Sequence, residues 1–563
     1  MDEQSKPVKP LYKRKEFMYV AALVGVIAFL ALSSRMTGRP PQIESITPRI
    51  GHPAEVMVIT GRFFGDERNG GRVVIAGYSP VSSDYLEWND SRISLRLPED
   101  VVSGMVRVVT KSGRSAGILF TNRRQVPVVL SGPGRPGQPY IQGLEPSGGP
   151  VGTLLTISGM NFGIQRGSSR VFFAWVTGDA THTVALGGST EVQPASMLPV
   201  LEYDLDYDQW SDREILVRIP DGASSGSVLV TTDKGQSNAV YVEVEGQAGT
   251  KLFPEKRTYS VRYALEVRDV AASGPGNLHL WVPQVLEAPE QREIQLVAQE
   301  PAPLFDDVNG VKLFKLENLQ SGASYRVVQS FMVDRYAVET RVNAARVPVK
   351  YDTARRLYRR YTAAEPLVPA DNPRIRELGA EIVGREQNPY RKAVALYNWV
   401  IRRLEPEPDS QERDIVAVVD GSRQGSSYVY ALLFCALARS TGVPARPVAG
   451  YRLDPELRAY RHFWGEFYLE SVGWIPVDPF LGEGKTQVAL SPEVNPGQYY
   501  FGNLDFSRLT LSKGIIALNR MNPSGRAARR TDIPSLQEIH EEADGGLESY
   551  TASWEDLVVL GIY

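Results

Sequence analysis

The sequence predicts a multidomain chain: an N-terminal transmembrane helix, two or three all-β sandwiches, then an α+β domain. Three observations predict it. An uncharged apolar run occupies residues 17–34, a long internal repeat of alternating apolar and polar residues fills 40–246, and helical periodicity sets in after residue 352. The 563 residues leave room for several domains at about 100–200 residues each.

The apolar run, FMYVAALVGVIAFLALSS, has 18 residues. At 1.5 Å per residue it just spans a hydrocarbon core of about 30 Å. Lys6, Lys9, Lys13, Arg14 and Lys15 precede it. The positive-inside rule therefore keeps residues 1–16 cytoplasmic and sends the bulk of the chain to the periplasm or extracellular space. A cleaved signal peptide ending near Ala31-Leu32-Ser33 is the alternative, with the same destination.

The repeat is read by shifting the chain on itself. An offset of 98 maps Pro41 to Pro139, Ile59 to Ile157, Gly61 to Gly159 and Phe64-Gly65 to Phe162-Gly163. An offset of 122 then maps Trp88 to Trp210, Asp90 to Asp212 and Pro98 to Pro220. Two constant offsets over so many positions mark a duplicated domain, and the second copy carries a 24-residue insertion near 176–209. Alternations such as Ile93, Leu95, Leu97 and Ile215, Val217, Ile219 are half-buried strands, with Gly and Pro punctuating them as in a sandwich. The segments Pro41 to Pro48 and Ile59 to Gly65, with their copies in 139–163, resemble the immunoglobulin-like IPT/TIG family. The resemblance gives domains at 40–130 and 138–246. It implies spacers, or modules that contact protein or glycan, with the insertion loops as the binding surface.

Residues 255–350 alternate again (Tyr259, Val261, Tyr263, Leu265, Val267), which predicts a third β-sandwich. From 373 to 403, apolar residues fall at helical spacing: Ile375, Leu378, Ile382, then Leu396, Trp399, Val400. Pro373 and Pro389 open two helices. Residues 516–563 read as a C-terminal tail, with a loose linker over 516–545 and a closing strand.

Three ordered motifs carry chemistry. The first runs from Gly425-Ser426-Ser427-Tyr428 through Ala431, Arg439 and Gly442 to Arg446. The second is His462-Phe463-Trp464-Gly465-Glu466, and the third Gly473-Trp474-Ile475-Pro476-Val477-Asp478-Pro479. Alternation along 462–469 puts His462, Trp464 and Glu466 on one side of a strand. A turn near 470–473 returns Asp478 to within a couple of positions of His462. The motifs closely resemble the transglutaminase-like, papain-type superfamily over 352–515. That resemblance implies a nucleophile at a helix N-terminus, a histidine base and an orienting carboxylate. It assigns Ser427, His462 and Asp478 to those roles. Trp464 and Tyr428 are candidate substrate contacts, although packing is the more ordinary role for a tryptophan such as Trp464.

The family's nucleophile is cysteine, four residues before Ala431, twelve before Arg439 and fifteen before Gly442. All three counts land on Ser427. A thiol near pKa 8.5 ionises with help from a helix dipole and an imidazole, whereas a hydroxyl is far harder to ionise. Cys435, the one cysteine, stands eight residues further along the same helix, about 12 Å away in an apolar run. It suits a buried small hydrophobe. A catalytically inactive protein- or peptide-binding module is the expectation. The alternative is an acyl-transfer enzyme (peptidase, amidase or transglutaminase) using Ser427, or a cysteine in the native gene, with His462 and Asp478.

Composition narrows the partners. A net charge of −3 offers no basic field for nucleic acid. A single cysteine precludes an intramolecular disulfide and a CxxC metal site, and the five histidines form no HxxxH pair. No cofactor and no metal are expected.

Overall fold

Alternating apolar residues between glycine and proline turns build two facing sheets in each repeat. The computed structural model describes residues 39–99, 101–122, 136–176, 197–307, 310–486, 488 and 490–563. In the first repeat one sheet orders its strands Gln42–Thr47, Val56–Arg62, Arg92–Arg96, Tyr85–Trp88. The other contains Ile118–Asn122, Gly104–Thr110 and Arg72–Ile75, and Met57, Ile59, Val73, Ile93 and Leu95 fill the space between. This sandwich is one compact unit, and the chain from residue 130 onward forms the other.

The second repeat keeps the order: Tyr140–Glu145, Leu154–Met160, Glu214–Arg218, Tyr207–Trp210. Shared hydrogen bonds explain the recurring residues. The Trp88 indole donates to the Phe64 carbonyl at 3.1 Å, and Trp210 donates to Phe162 at 3.1 Å. Asp90 accepts from the Gly65 N–H at 3.0 Å, and Asp212 accepts from Gly163 at 3.1 Å. Tryptophan and aspartate therefore recur together with the glycine turn they tether. Beyond Val176 the insertion is described only from Met197 onward. Met197–Pro199 adds a strand beside Arg170–Ala174, and Met197, Leu198, Val200, Leu201, Asp204 and Asp206 are buried.

The third β-domain is one sheet folded on itself rather than a sandwich confined to 255–350. Strand β1 (Lys256–Pro283) pairs antiparallel with β4 (Tyr325–Tyr336) along its first half and with β3 (Val311–Leu316) along its second. Strand β2 (Gln291–Glu300) pairs with β4. Irregularities between Arg268 and Gly276 bend β1, so that Leu265 and Val267 meet Leu278, Leu280 and Phe314 in one core.

In the α+β domain, helices α1 (Pro373–Val383) and α2 (Pro389–Arg403) each begin with proline at N1, where its missing N–H costs nothing. Asn372 and Asn388 cap them by accepting from Arg374 and Arg391 N–H. Helix α3 (Ser427–Ser440) is buried on all sides to Arg439, as its continuous apolar sequence demands. It packs on an antiparallel sheet ordered β7 (Gly473–Val477), β6 (Ala459–Leu469), β5 (Ala445–Leu453), β8 (Arg508–Lys513). Phe434 of α3 stacks edge-on to Phe467 of β6.

Residues 516–563 are not a tail. Strand β9 (Glu541–Trp554) pairs with Leu265–Leu280 of β1, and β10 (Val558–Ile562) with Tyr259–Arg262. Leu547 and Trp554 complete the core of the third β-domain. The segment read as a linker buries Ile533, Leu536, Gln537 and Ile539. The sequence signal failed because the partners of these strands lie more than 250 residues upstream. The apolar run at 17–34 lies outside the described residues. Among those described, no helix is long and apolar enough to cross a membrane.

Candidate active site

The site is assembled at the N-terminus of α3. Gln424–Gly425 pairs in parallel with Glu405–Pro406 and delivers the chain to the helix. Gly425 is required there, since a Cβ would stand 2.6 Å from the Val429 Cβ. Ser426 occupies the N-cap in an extended conformation without a side-chain capping bond, and Ser427 is the first helical residue. The free N–H groups of that first turn make this the positive end of the helix dipole. The Ser427 hydroxyl accepts a hydrogen bond from the Phe463 N–H of β6 at 3.2 Å. Among the described residues it has no hydrogen bond with His462.

Strands β6 and β7 bring base and carboxylate together. Gly465 stands opposite Val477, so Asp478 follows directly beyond the paired segment. The His462 Nε2 lies 2.7 Å from Asp478 Oδ2. The same oxygen accepts from Arg508 Nη2 at 2.8 Å, and Oδ1 accepts from the Leu481 N–H at 3.1 Å. Asp478 and Arg508 are fully buried, and Arg508 also pairs with Asp505 at 2.7 Å. Burial would raise the Asp478 carboxyl, but its interactions with His462 and with the Arg508 guanidinium outweigh it and hold it at about 2. Burial lowers the basicity of His462 and prevails over Asp478, whose attraction Arg508 offsets. The imidazole is therefore neutral beside an ionised carboxylate, which engages Nε2.

Ser427, Tyr428, His462 and Phe463 line one cavity of about 680 Å³. Tyr428 meets Phe463 edge-on at 5.2 Å, and the Arg413 guanidinium lies 4.8 Å over its ring. Trp464 does not line the cavity. It is 1% exposed and stacks beside His462 with ring centroids 6.1 Å apart, so its place is behind the imidazole rather than against a substrate. Cys435 is buried and its thiol is pushed up to about 12 by that burial, the inert end of cysteine chemistry. Glu466 sits between Arg446 and Lys513, each 2.8 Å away. Among the described residues, no three His, Cys, Asp or Glu side chains converge as metal ligands.

Arg508 was missed by sequence reasoning. Its signal was present, because a cation opens the otherwise neutral run Leu509-Thr510-Leu511-Ser512 of a buried strand. Such a charge needs an internal partner.

Comparison with known proteins supports the domain reading. Residues 376–479 match the transglutaminase-like superfamily, and residues 139–185 match the IPT/TIG domain. The chain thus carries a transglutaminase-like domain and an IPT/TIG domain. The superfamily match ends one residue past Asp478 and leaves out Arg508. An uncharacterized protein of Haemophilus influenzae is 27% identical over 174 residues, covering 25% of this chain and 47% of that protein. The chain thus spans about half the length of the curated relative it matches. Two solved structures are among those the chain matches. A candidate cysteine protease from Cytophaga hutchinsonii is 15% identical, with 55% of this chain and 93% of that chain covered and a TM-score of 0.36. The periplasmic domain of TgpA from Pseudomonas aeruginosa is 16% identical, with 40% and 86% covered and a TM-score of 0.25.

Proposed function

We propose that the transglutaminase-like domain binds a protein or peptide segment in the cleft at Ser427 and performs no acyl transfer. One observation carries this reading. The position at the helix N-terminus holds a hydroxyl, which accepts from Phe463 N–H at 3.2 Å and, among the described residues, has no hydrogen bond with His462. A helix dipole and a backbone donor suffice to stabilise a thiolate, whose parent pKa is near 8.5, but not an alkoxide. Presentation outside the cytoplasm by residues 17–34 belongs to the same proposal, supported by their uncharged apolar sequence behind five basic residues. So do protein or glycan contacts through the IPT/TIG domains.

The buried His462–Asp478–Arg508 unit favours a second reading, a serine-based peptidase or amidase. In that chemistry Ser427 Oγ adds to a carbonyl carbon while its proton passes to His462 Nδ1. The C–N bond then breaks, and the leaving nitrogen takes that proton. The Ser427 N–H would face the developing oxyanion.

Amine incorporation and peptide hydrolysis by the full chain separate the two. The native chain is expected to be silent and Ser427→Cys to turn over. Turnover by the native chain that disappears in Ser427→Ala would establish the serine enzyme and end the binding-only reading.

A further inference from the structure

Resting on the peptide-binding reading, we infer that the cleft contains an anion subsite in which Arg413 and Arg452 take a carboxylate of the bound peptide. The cavity around Ser427 and His462 is lined by four arginines. Two are already neutralised. Arg461 pairs with Asp556 at 2.6 Å and Asp532 at 3.6 Å, and Arg458 pairs with Asp454 at 2.7 Å and Glu456 at 3.3 Å.

Arg413 and Arg452 make no ion pair among the described residues. Both are half-buried. Arg413 spends Nη1 on the Ser410 and Glu412 carbonyls at 3.1 and 2.9 Å, while its buried Nε has no hydrogen-bond partner. It lies over Tyr428, the residue that follows Ser427. Arg452 lines the same cavity. It faces Tyr460 across the β5–β6 pair, its guanidinium 4.9 Å over that ring, and Tyr460 is two residues from His462. The Arg452 charge reaches the imidazole and disfavours its protonation.

The lining carboxylate left without an ion pair, Asp409, is exposed, so it is the better hydrated and weaker counter-charge. Each guanidinium lies over an aromatic ring and lines the same cavity, and a guanidinium with free N–H groups suits a carboxylate fork. A peptide can supply that group from its C-terminus or from an Asp or Glu side chain.

Three probes decide the matter by titration calorimetry with the full chain: N-acetyl-Ala-Gln-Ala with a free C-terminal carboxylate, its C-terminal amide, and N-acetyl-Ala-Gln-Asp amide. One or both carboxylate probes should bind about ten-fold or more tightly than the neutral amide. Which of the two does so identifies the source. In Arg413→Gln/Arg452→Gln that preference should shrink to within about two-fold, with neutral-amide binding retained as the check on folding. Equal binding of all three by the native chain overturns the subsite and leaves the peptide reading standing, as does a preference that survives the double variant. Failure of all three to bind overturns both.

Discussion

At the scale of single residues, burial holds His462 below its ordinary basicity, and Arg508 weakens the attraction of Asp478 that opposes it. A carboxylate that faces an imidazole alone favours imidazolium. Here the same Asp478 oxygen also accepts from a buried guanidinium at 2.8 Å, so the attraction is shared. The imidazole stays below its ordinary pKa, and the sign of the consequence follows. An unfolded histidine near 6.5 takes up protons before the folded one does. His462 therefore contributes stability that is intact above about pH 6.5 and is lost as pH falls towards its lower folded value. Arg508→Gln should raise the His462 pKa, read by NMR titration of the ring, and so shrink that acid-side loss. It should also cost about 3–5 kcal/mol, because it strands two buried carboxylates. An unmoved titration would mean that Asp478 and Arg508 are structural only. The meeting of His462 and Asp478 could be read from motif spacing because one hairpin carries both. Arg508 could not, because it lies 30 residues beyond Asp478 on a strand that two others separate from β7.

At the scale of elements, the junction before α3 sets the site. The motif glycine two residues before Ser427 has no left-handed backbone to explain it. Its reason is contact, since the strand must pass against Val429 to start the helix. Gly425→Ala forces a methyl to within 2.6 Å of the Val429 Cβ and should displace the first turn of α3. The expected cost is about 1–3 kcal/mol of stability. In a Ser427→Cys background it should also reduce turnover, because the Phe463 N–H would no longer meet the nucleophile. If turnover is unchanged, the glycine serves the fold alone. Helices α1 and α2 were readable from proline and apolar spacing alone, since both cap themselves with the preceding asparagine. The closing strand expected of the last residues is present as β10 and the end of β9, but its pairing was not readable, because the strand it completes lies more than 250 residues upstream and local sequence carries no record of such pairing.

At the scale of the whole molecule, the second IPT/TIG domain is fixed to the transglutaminase-like domain rather than strung beside it. A buried line of charge crosses three domains. Asp204 pairs with Arg446 at 2.7 Å, Arg446 with Glu466 at 2.8 Å, Glu466 with Lys513 at 2.8 Å, and Lys513 with Glu290 at 3.0 Å. Beside it, Arg355 pairs with Asp206 at 2.7 Å and Lys251 with Asp221 at 2.6 Å. Duplication showed where this domain begins and ends, but the insertion that distinguishes the second copy is what docks it, through Asp204 and Asp206. Charges so placed are poor general stabilisers, yet each is costly to strand. Asp204→Ala should therefore destabilise the chain by about 3–5 kcal/mol, because Arg446 stays buried with one carboxylate fewer. The exposed pair of Arg170 and Glu287 joins the same domain to the third β-domain at 2.9 Å. Breaking it with Glu287→Ala should cost no more than about 1 kcal/mol. Urea unfolding of the two variants beside the native chain makes the comparison. A clear shift for Asp204→Ala alone identifies a locked module in which the IPT/TIG domain is part of the wall behind the site. Equal, small shifts would mean the interface is wet and the domain free to swing, and the buried pairing would then be wrong.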